Sequence, residues 1–378
     1  MEARGKSFDG RGHNLPRQIS PKTGMALRQQ NSYTFPDQHR WFAAIPDHFI
    51  FELMQRNAFR LFAAACLLIF LSNGFLQAQL VPAYRAETNI IYSTVAGKAL
   101  MLNAFLPANS TAPVPAIVEI HGGWWFGGEA ATRPEGVGGW QIFMRRGLAI
   151  FSIQYRLGEA GGFPENIRDC RNAVRFIRQH AKRFNIDPNR IDVTGGSAGG
   201  HLSLMVAMVP EDFADGGPTP GLEGVSAKVA GSFSYIPPTD FVRFWNQGPD
   251  DVITNADGKI SFRGPDSKIP YDSHPRLRLL FHGIIPDSDE HKALYTNLSP
   301  LGQVRKEVPP LLICDGENDP IVPGLHGQAL YAKLKKAGAD ATYWLTPGGG
   351  HAFPSGVGFD KVLNEFLART LQLDSSRP

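Results

Sequence analysis

The sequence predicts an α/β domain: a mostly parallel central sheet flanked by helices, with an irregular insertion over the C-terminal ends of the strands. Three observations predict it. After Ala83, strand and helix signals alternate to the end of the chain, the pattern of a parallel sheet covered on its faces. Pro115–Ile120 and Leu148–Ile153 are apolar runs of central-strand type, as strands buried on both sides require. The pentapeptide Gly195-Gly196-Ser197-Ala198-Gly199 stands between a strand signal and a helix signal.

The elements follow in order. Asn89–Ser93 and Leu100–Phe105 read as early strands, ahead of the two apolar runs. Asn166–Phe184 has helical period, with Ile167, Cys170, Val174, Ile177 and Ala181 on one face. Asn189–Thr194 is a strand leading into the Ser197 turn, with a helix through His201–Met208 behind it. A strand at Pro310–Cys314, a helix over Gly327–Ala337, a strand at Thr342–Leu345 and a helix over Lys361–Leu371 complete the domain, placed at about 83–375. Between about 211 and 300 the pattern loosens into Pro, Gly and aromatic residues (Tyr235, Phe241, Phe244, Trp245, Tyr271). There Asn255-Ala256-Asp257-Gly258 has the chemistry of a hairpin turn between Val252–Thr254 and Ile260–Phe262. An insertion so placed is expected to carry the substrate surface.

Composition narrows the function. The chain has 378 residues, 43% hydrophobic and 19% charged, as in globular proteins. A net charge of +3 gives no electrostatic footprint for nucleic acid. The three cysteines, Cys66, Cys170 and Cys314, form no metal-ligand pattern; Cys170 and Cys314 read as buried small hydrophobes. Residues 1–53 are polar and without period, expected to be disordered or to lie upstream of the true start. Within 54–78, basic Met54–Arg60 precedes an apolar run, Leu61–Leu71, and small residues before Gln79. This is the layout of a secretory signal peptide. The run is shorter than the roughly 20 residues of a membrane span. The expectation is an extracytoplasmic protein, periplasmic or secreted, held at the membrane through 61–76 if the signal stays uncleaved.

The chemistry-bearing residues form an ordered set. Gly-x-Ser-x-Gly between strand and helix is the nucleophile elbow, with Ser197 as nucleophile. His121-Gly122-Gly123-Trp124-Trp125 follows directly on the Ile120 strand. The backbone N–H groups of Gly122, Gly123 and Trp124, together with that of Ala198, are the candidate oxyanion donors that acyl transfer needs. Trp124 and Trp125 are candidates for the wall of a substrate pocket. Acid and base must then follow the serine in that order. Asp319 in the turn after Leu311–Cys314 is the candidate acid, with Asp315 and Glu317 as alternatives, and His351 in the loop after the next strand is the candidate base. Of the other histidines, His274, His282 and His291 precede Asp319, and His326 starts a helix.

Together these residues resemble the α/β-hydrolase carboxylesterases of the hormone-sensitive-lipase-like group, and within it the acetylxylan/feruloyl esterase-like branch. His121-Gly-Gly-Trp-Trp, Tyr155-Arg156-Leu157, Phe163-Pro164 before a helix carrying Asp169, Ile186–Ile191 into Gly-Gly-Ser-Ala-Gly-Gly-His-Leu, Ser299-Pro300, Pro309-Pro310-Leu311, Asp319–Pro323 and Gly350-His351 carry the resemblance. It spans about Asn89 to Leu373. Asp315 departs from it, standing where the family usually has His, and 240–289 has no matching motif. The resemblance implies an α/β-hydrolase fold and a serine carboxylic-ester hydrolase, with no cofactor or metal, acting on short-chain acyl or carbohydrate esters. Two other readings share the motifs. A serine peptidase of prolyl-oligopeptidase type would bring a propeller-like repeat, which is absent here. A catalytically silent binding protein on the same fold would have lost a triad member, and all three are present. Oligomeric state is not readable from the sequence.

Overall fold

The computed structural model describes residues 83–246, 252–254, 260–262 and 273–373. These fall within one compact unit of the chain, Phe70–Pro378. The segments read as an N-terminal extension and a signal, 1–53 and 54–78, lie outside the described residues, as does Tyr271.

Ten strands form, eight of them in one sheet. They are β1 (Tyr84–Val95), β2 (Lys98–Pro107), β3 (Val114–Ile120), β4 (Ala149–Ile153), β5 (Ile186–Gly196), β6 (Gly231–Tyr235), β7 (Val252–Thr254), β8 (Ile260–Phe262), β9 (Leu311–Gly316) and β10 (Ala341–Thr346). The large sheet has the order β1-β2-β4-β3-β5-β6-β9-β10. β2 runs antiparallel to both of its neighbours, and every pairing from β4 through β10 is parallel. β7 and β8 pair antiparallel, and the expected turn between them, Asn255-Ala256-Asp257-Gly258, lies outside the described residues.

Alternation along the central strands divides the core in two, as a pleat with both faces covered must. On β3, Val118 and Ile120 belong to one hydrophobic cluster and Ile117 to the other; on β9, Ile313 faces one and Leu312 and Cys314 the other. The helices are α1 (Trp140–Arg145), α2 (Glu165–Gln179), α3 (Ala181–Phe184), α4 (Ala198–Met208), α5 (Phe241–Asn246), α6 (Ser273–Leu280), α7 (Asp289–Asn297), α8 (Leu325–Ala337) and α9 (Phe359–Thr370). α2, α4 and α8 cover the first face; α1 and α9 cover the second through Phe143, Met144, Leu363, Phe366 and Leu367. α2 buries Ile167, Cys170, Val174 and Ile177. The helix anticipated over Asn166–Phe184 is interrupted at His180, and α3 ends on Asn185 in a left-handed conformation (φ 54°). Cys170 and Cys314 are buried free thiols.

One boundary is corrected. The 211–300 segment, read as an insertion, contains β6, a central strand between β5 and β9. Its Gly231-Ser-Phe-Ser-Tyr sequence lacks an apolar run because two serines stand on either side of Phe233 at buried positions. Ser232 and Ser234 bond each other at 2.9 Å, and Ser234 bonds Ser203 of α4 at 2.7 Å. The side-chain hydroxyls thus satisfy one another in place of hydrophobic contact. The material over the strand ends starts only after Ile236.

Asp192, buried on β5, accepts a 2.6 Å hydrogen bond from Thr370 Oγ1 and so ties the central strand to α9. Burial pushes its carboxyl up to about 7, against the Thr370 and Gly231 hydrogen bonds that lower it. The folded chain therefore holds a proton there that the unfolded chain gives up near pH 4. The stabilisation is present in acid and is lost as pH rises toward 7. Asp192→Asn keeps an acceptor and removes the titration. Relative to wild type, it should gain about 2 kcal/mol between pH 5.5 and 8 in denaturant melts. An equal difference at both pH values would contradict this.

Candidate active site

In a parallel sheet the loops after successive strands emerge on one edge. Ser197 follows β5; β6 and β9 come next, and β10 lies beyond them. The loops after β5, β9 and β10 therefore emerge on the same edge, with adjacent strands about 4.8 Å apart. Ser197 sits in a strained backbone, φ 57° and ψ −122°, between β5 and α4. Its N–H donates to the Tyr235 carbonyl at 3.0 Å, and its own carbonyl accepts from His201 N at 2.9 Å. The flanking glycines have no room for a side chain. A Cβ at Gly195 would lie 2.6 Å from the Ile120 carbonyl oxygen, and one at Gly199 would overlap that same oxygen. Ala198 is the first residue of α4, where an N–H has no partner within its own helix.

The 121–128 loop packs against this turn. A Cβ at Gly122 would meet the Gly196 carbonyl oxygen at 2.9 Å and the Ser197 Cβ at 3.6 Å. Beneath it, the His121 ring stacks on Tyr155 at 4.5 Å, and the Tyr155 hydroxyl donates to the His121 carbonyl at 3.0 Å. His121 Nδ1 lies 2.7 Å from the Gly122 carbonyl oxygen, which can only accept, so Nδ1 carries the proton. Burial lowers the His121 pKa, which keeps the ring neutral near pH 7. A trans peptide sets its N–H opposite its carbonyl, so this bond also aims the Gly123 N–H away from the His121 ring. The Gly123 carbonyl accepts from Phe126 N and Gly127 N at 3.1 and 3.0 Å, closing the turn. Trp124 and Trp125 hold left-handed backbones (φ 60° and 61°), a strain of about 1–2 kcal/mol each.

The two tryptophans part company. Trp124 is half-buried and stacks on Phe244 of α5 at 5.9 Å. Trp125, anticipated beside it in a pocket wall, is instead 1% exposed. It packs against Phe163, His201 and Phe241, with ring centroids 5.8, 5.4 and 5.5 Å away. It is a core anchor joining the loop to the segment over the strand ends. His201 in this cluster donates through Nε2 to the Leu298 carbonyl at 2.9 Å, and burial pushes its pKa down to about 3.

The structure brings His351 and Asp319 together: His351 Nδ1 is 2.7 Å from Asp319 Oδ2. The other carboxylate oxygen accepts the backbone N–H groups of Ile321 and Val322 at 2.8 and 3.0 Å. Both oxygens are thus fixed, and the Asp319 side chain is fully shielded while that of His351 keeps 18% of its exposure. The base loop leans on the acid loop, with Asn318 N donating to the Gly349 carbonyl at 2.7 Å. The alternative acids have other employment. Glu317 accepts from Gly348 N at 2.8 Å. Asp315 is buried, accepts from the Tyr343 hydroxyl at 3.0 Å, and is held neutral because burial raises its pKa well above the carboxylate range.

Two further residues neighbour the site: Tyr235, one of the aromatics expected at the substrate surface, and Arg276, which has no sequence signal. Tyr235 ends β6, and its ring lies against Gly196, where a Cβ would come 2.7 Å from Cζ. Arg276 of α6 places its guanidinium 5.1 Å from the Trp124 ring centre.

A mostly parallel, two-faced sheet with a strained serine between its central strand and helix defines an α/β-hydrolase. The chain belongs to the BD-FAE family, whose model matches residues 102–334, a span that contains the 121–124 loop, Ser197 and Asp319 and ends before His351. It is 27% identical over 241 residues to Esterase LipQ of Mycobacterium tuberculosis, covering 63% of this chain and 50% of LipQ. It is 25% identical over 302 residues to an acetylxylan esterase of Xylanibacter ruminicola, covering 79% and 53%. The chain spans about half the length of the curated relatives it matches. Among solved structures it is similar to a truncated carbohydrate esterase from gut microbiota, with TM-score 0.59, 26% identity and coverage of 77% of this chain and 99% of that one. A thermophilic esterase of Thermogutta terrifontis shares the fold at TM-score 0.54 and 24% identity, covering 79% and 96%.

Since the Ile120 carbonyl already fills the space beside Gly199, Gly199→Ala should cost about 1–3 kcal/mol through overpacking. The check is a thermal melt; an unchanged midpoint would contradict the close approach.

Proposed function

We propose that this protein is a serine carboxylic-ester hydrolase that works through Ser197, His351 and Asp319 by way of an acyl-enzyme. The observation that carries the reading is the 2.7 Å bond from His351 Nδ1 to a carboxylate whose other oxygen is already held by two backbone N–H groups. With Nδ1 so engaged, Nε2 is the nitrogen left to accept a proton. Ser197 Oγ attacks the ester carbonyl and passes its proton to Nε2; an Oγ–C bond forms and the carbonyl oxygen becomes the oxyanion. The N–H groups of Gly122, Gly123, Trp124 and Ala198 are the donors proposed to hold it. His351 returns the proton as the C–O bond to the alcohol breaks, and water then deacylates the serine by the same steps. Asp319 keeps the imidazole in the right tautomer and stabilises imidazolium.

Short-chain acyl or carbohydrate esters are the proposed substrates. Relatives named as esterases, among them an acetylxylan esterase, and the similarity to a gut carbohydrate esterase support this class. Export through the 54–78 segment is part of the same proposal. N-terminal sequencing of protein recovered outside the cytoplasm should start after residue 78, and recovery from the cytoplasm alone would contradict export.

Ser197→Ala should abolish hydrolysis of 4-nitrophenyl butyrate and labelling by a fluorophosphonate probe, lowering kcat about 10⁴-fold or more. Asp319→Asn should lower kcat roughly 10⁴-fold through the wrong tautomer, whereas Asp315→Asn, near-isosteric with a neutral acid, should stay close to wild type. Activity surviving Ser197→Ala, or lost with Asp315 rather than Asp319, would overturn the assignment.

A further inference from the structure

Among the arginines near the strand ends, Arg276 is singular. Arg243 of α5 pairs with Asp240 at 3.9 Å. Arg276, exposed on α6, has no carboxylate partner among the described residues; its guanidinium lies over the Trp124 ring, 5.1 Å from guanidinium carbon to ring centre. Trp124 is two residues beyond Gly122, which abuts Ser197. Its indole is steadied by Phe244, stacked at 5.9 Å with 25° between the planes. An arginine over an aromatic ring keeps its planar face against the ring and its N–H edge outward. That edge is shaped for two parallel hydrogen bonds to a carboxylate. Asp319, the acid of the proposed triad, is shielded within its own loop and bonded to His351.

We propose that Arg276, held on Trp124, is a specificity-determining residue that recognises a carboxylate on the ester substrate. The inference rests on the esterase reading above and narrows it to acidic esters: those bearing a carboxylate on the acyl chain or on the alcohol, as an acidic sugar would. Formation and breakage of the ester bond are unchanged; the guanidinium binds the charge and orients the ester toward Ser197.

Two matched pairs test it. On the acyl side, 4-nitrophenyl hydrogen adipate is compared with 4-nitrophenyl hexanoate; on the alcohol side, 4-acetoxybenzoate is compared with 4-acetoxybenzamide. For wild type, Arg276→Gln and Arg276→Lys, the readout is the ratio of kcat/KM for the charged substrate to that for the neutral one. In at least one pair Arg276→Gln should lower the ratio about 10-fold, as loss of a hydrogen bond to a charged group does. Arg276→Lys should retain part of the ratio, and added salt should shrink it in wild type. A ratio unchanged by Arg276→Gln in both pairs would overturn the inference, because a residue that only clamps Trp124 moves charged and neutral substrates together. If wild type turns over none of the four and Ser197 takes no fluorophosphonate label, the esterase reading has failed and the inference falls with it.

Discussion

The site depends on one close approach: the backbone of α4 at Gly199 against the carbonyl of Ile120 at the end of β3. Two glycines, Gly195 and Gly199, let the serine turn press against that carbonyl. The same carbonyl belongs to the residue just before the 121–128 loop, so the nucleophile turn and the candidate oxyanion loop are packed on each other. Close packing of this kind leaves few alternative arrangements. The strained φ of Ser197 and of Trp124 persists because the surroundings over-determine it. His121, stacked on Tyr155 and bonded to the Gly122 carbonyl, sets the loop from beneath.

Burial sorts the titratable groups. His201 and His326, both pushed down to about 3, are neutral struts of the core. Glu119 and Asp192, each pushed up to about 7, sit inside the sheet with hydroxyl donors, Ser152 at 2.5 Å and Thr370 at 2.6 Å. Asp315 is neutral on β9, four residues before Asp319. Asp319 differs from all of these in kind. Two N–H groups and one imidazole face its two oxygens.

Much of this was legible in the sequence, for physical reasons. Predominantly apolar runs gave away β3 and β4, and the 3.6 period gave away α2, because burial there is carried mostly by hydrophobic side chains. The strained Ser197 turn and the Asp319–His351 pair were legible because strand–turn–helix context and chain order constrain them. β6 was not, since Ser232 and Ser234, bonded to other serine hydroxyls, flank the buried Phe233 and break any apolar run. Trp125 was misplaced because two adjacent tryptophans look alike in sequence, while the left-handed turn sends one to the core and leaves the other half-buried. Arg276 was invisible: one of two arginines in a short helix has no pattern, and only the fold lays it on Trp124.

The account turns on Ser197 becoming covalently acylated. Acid quenching during turnover of 4-nitrophenyl butyrate, followed by peptide mass mapping, tests this directly. The account predicts a butyryl mass on the peptide containing Ser197 in wild type and none in Ser197→Ala. An acyl group on any other residue, or rapid turnover without a trapped adduct in a deacylation-impaired His351→Ala background, would contradict it.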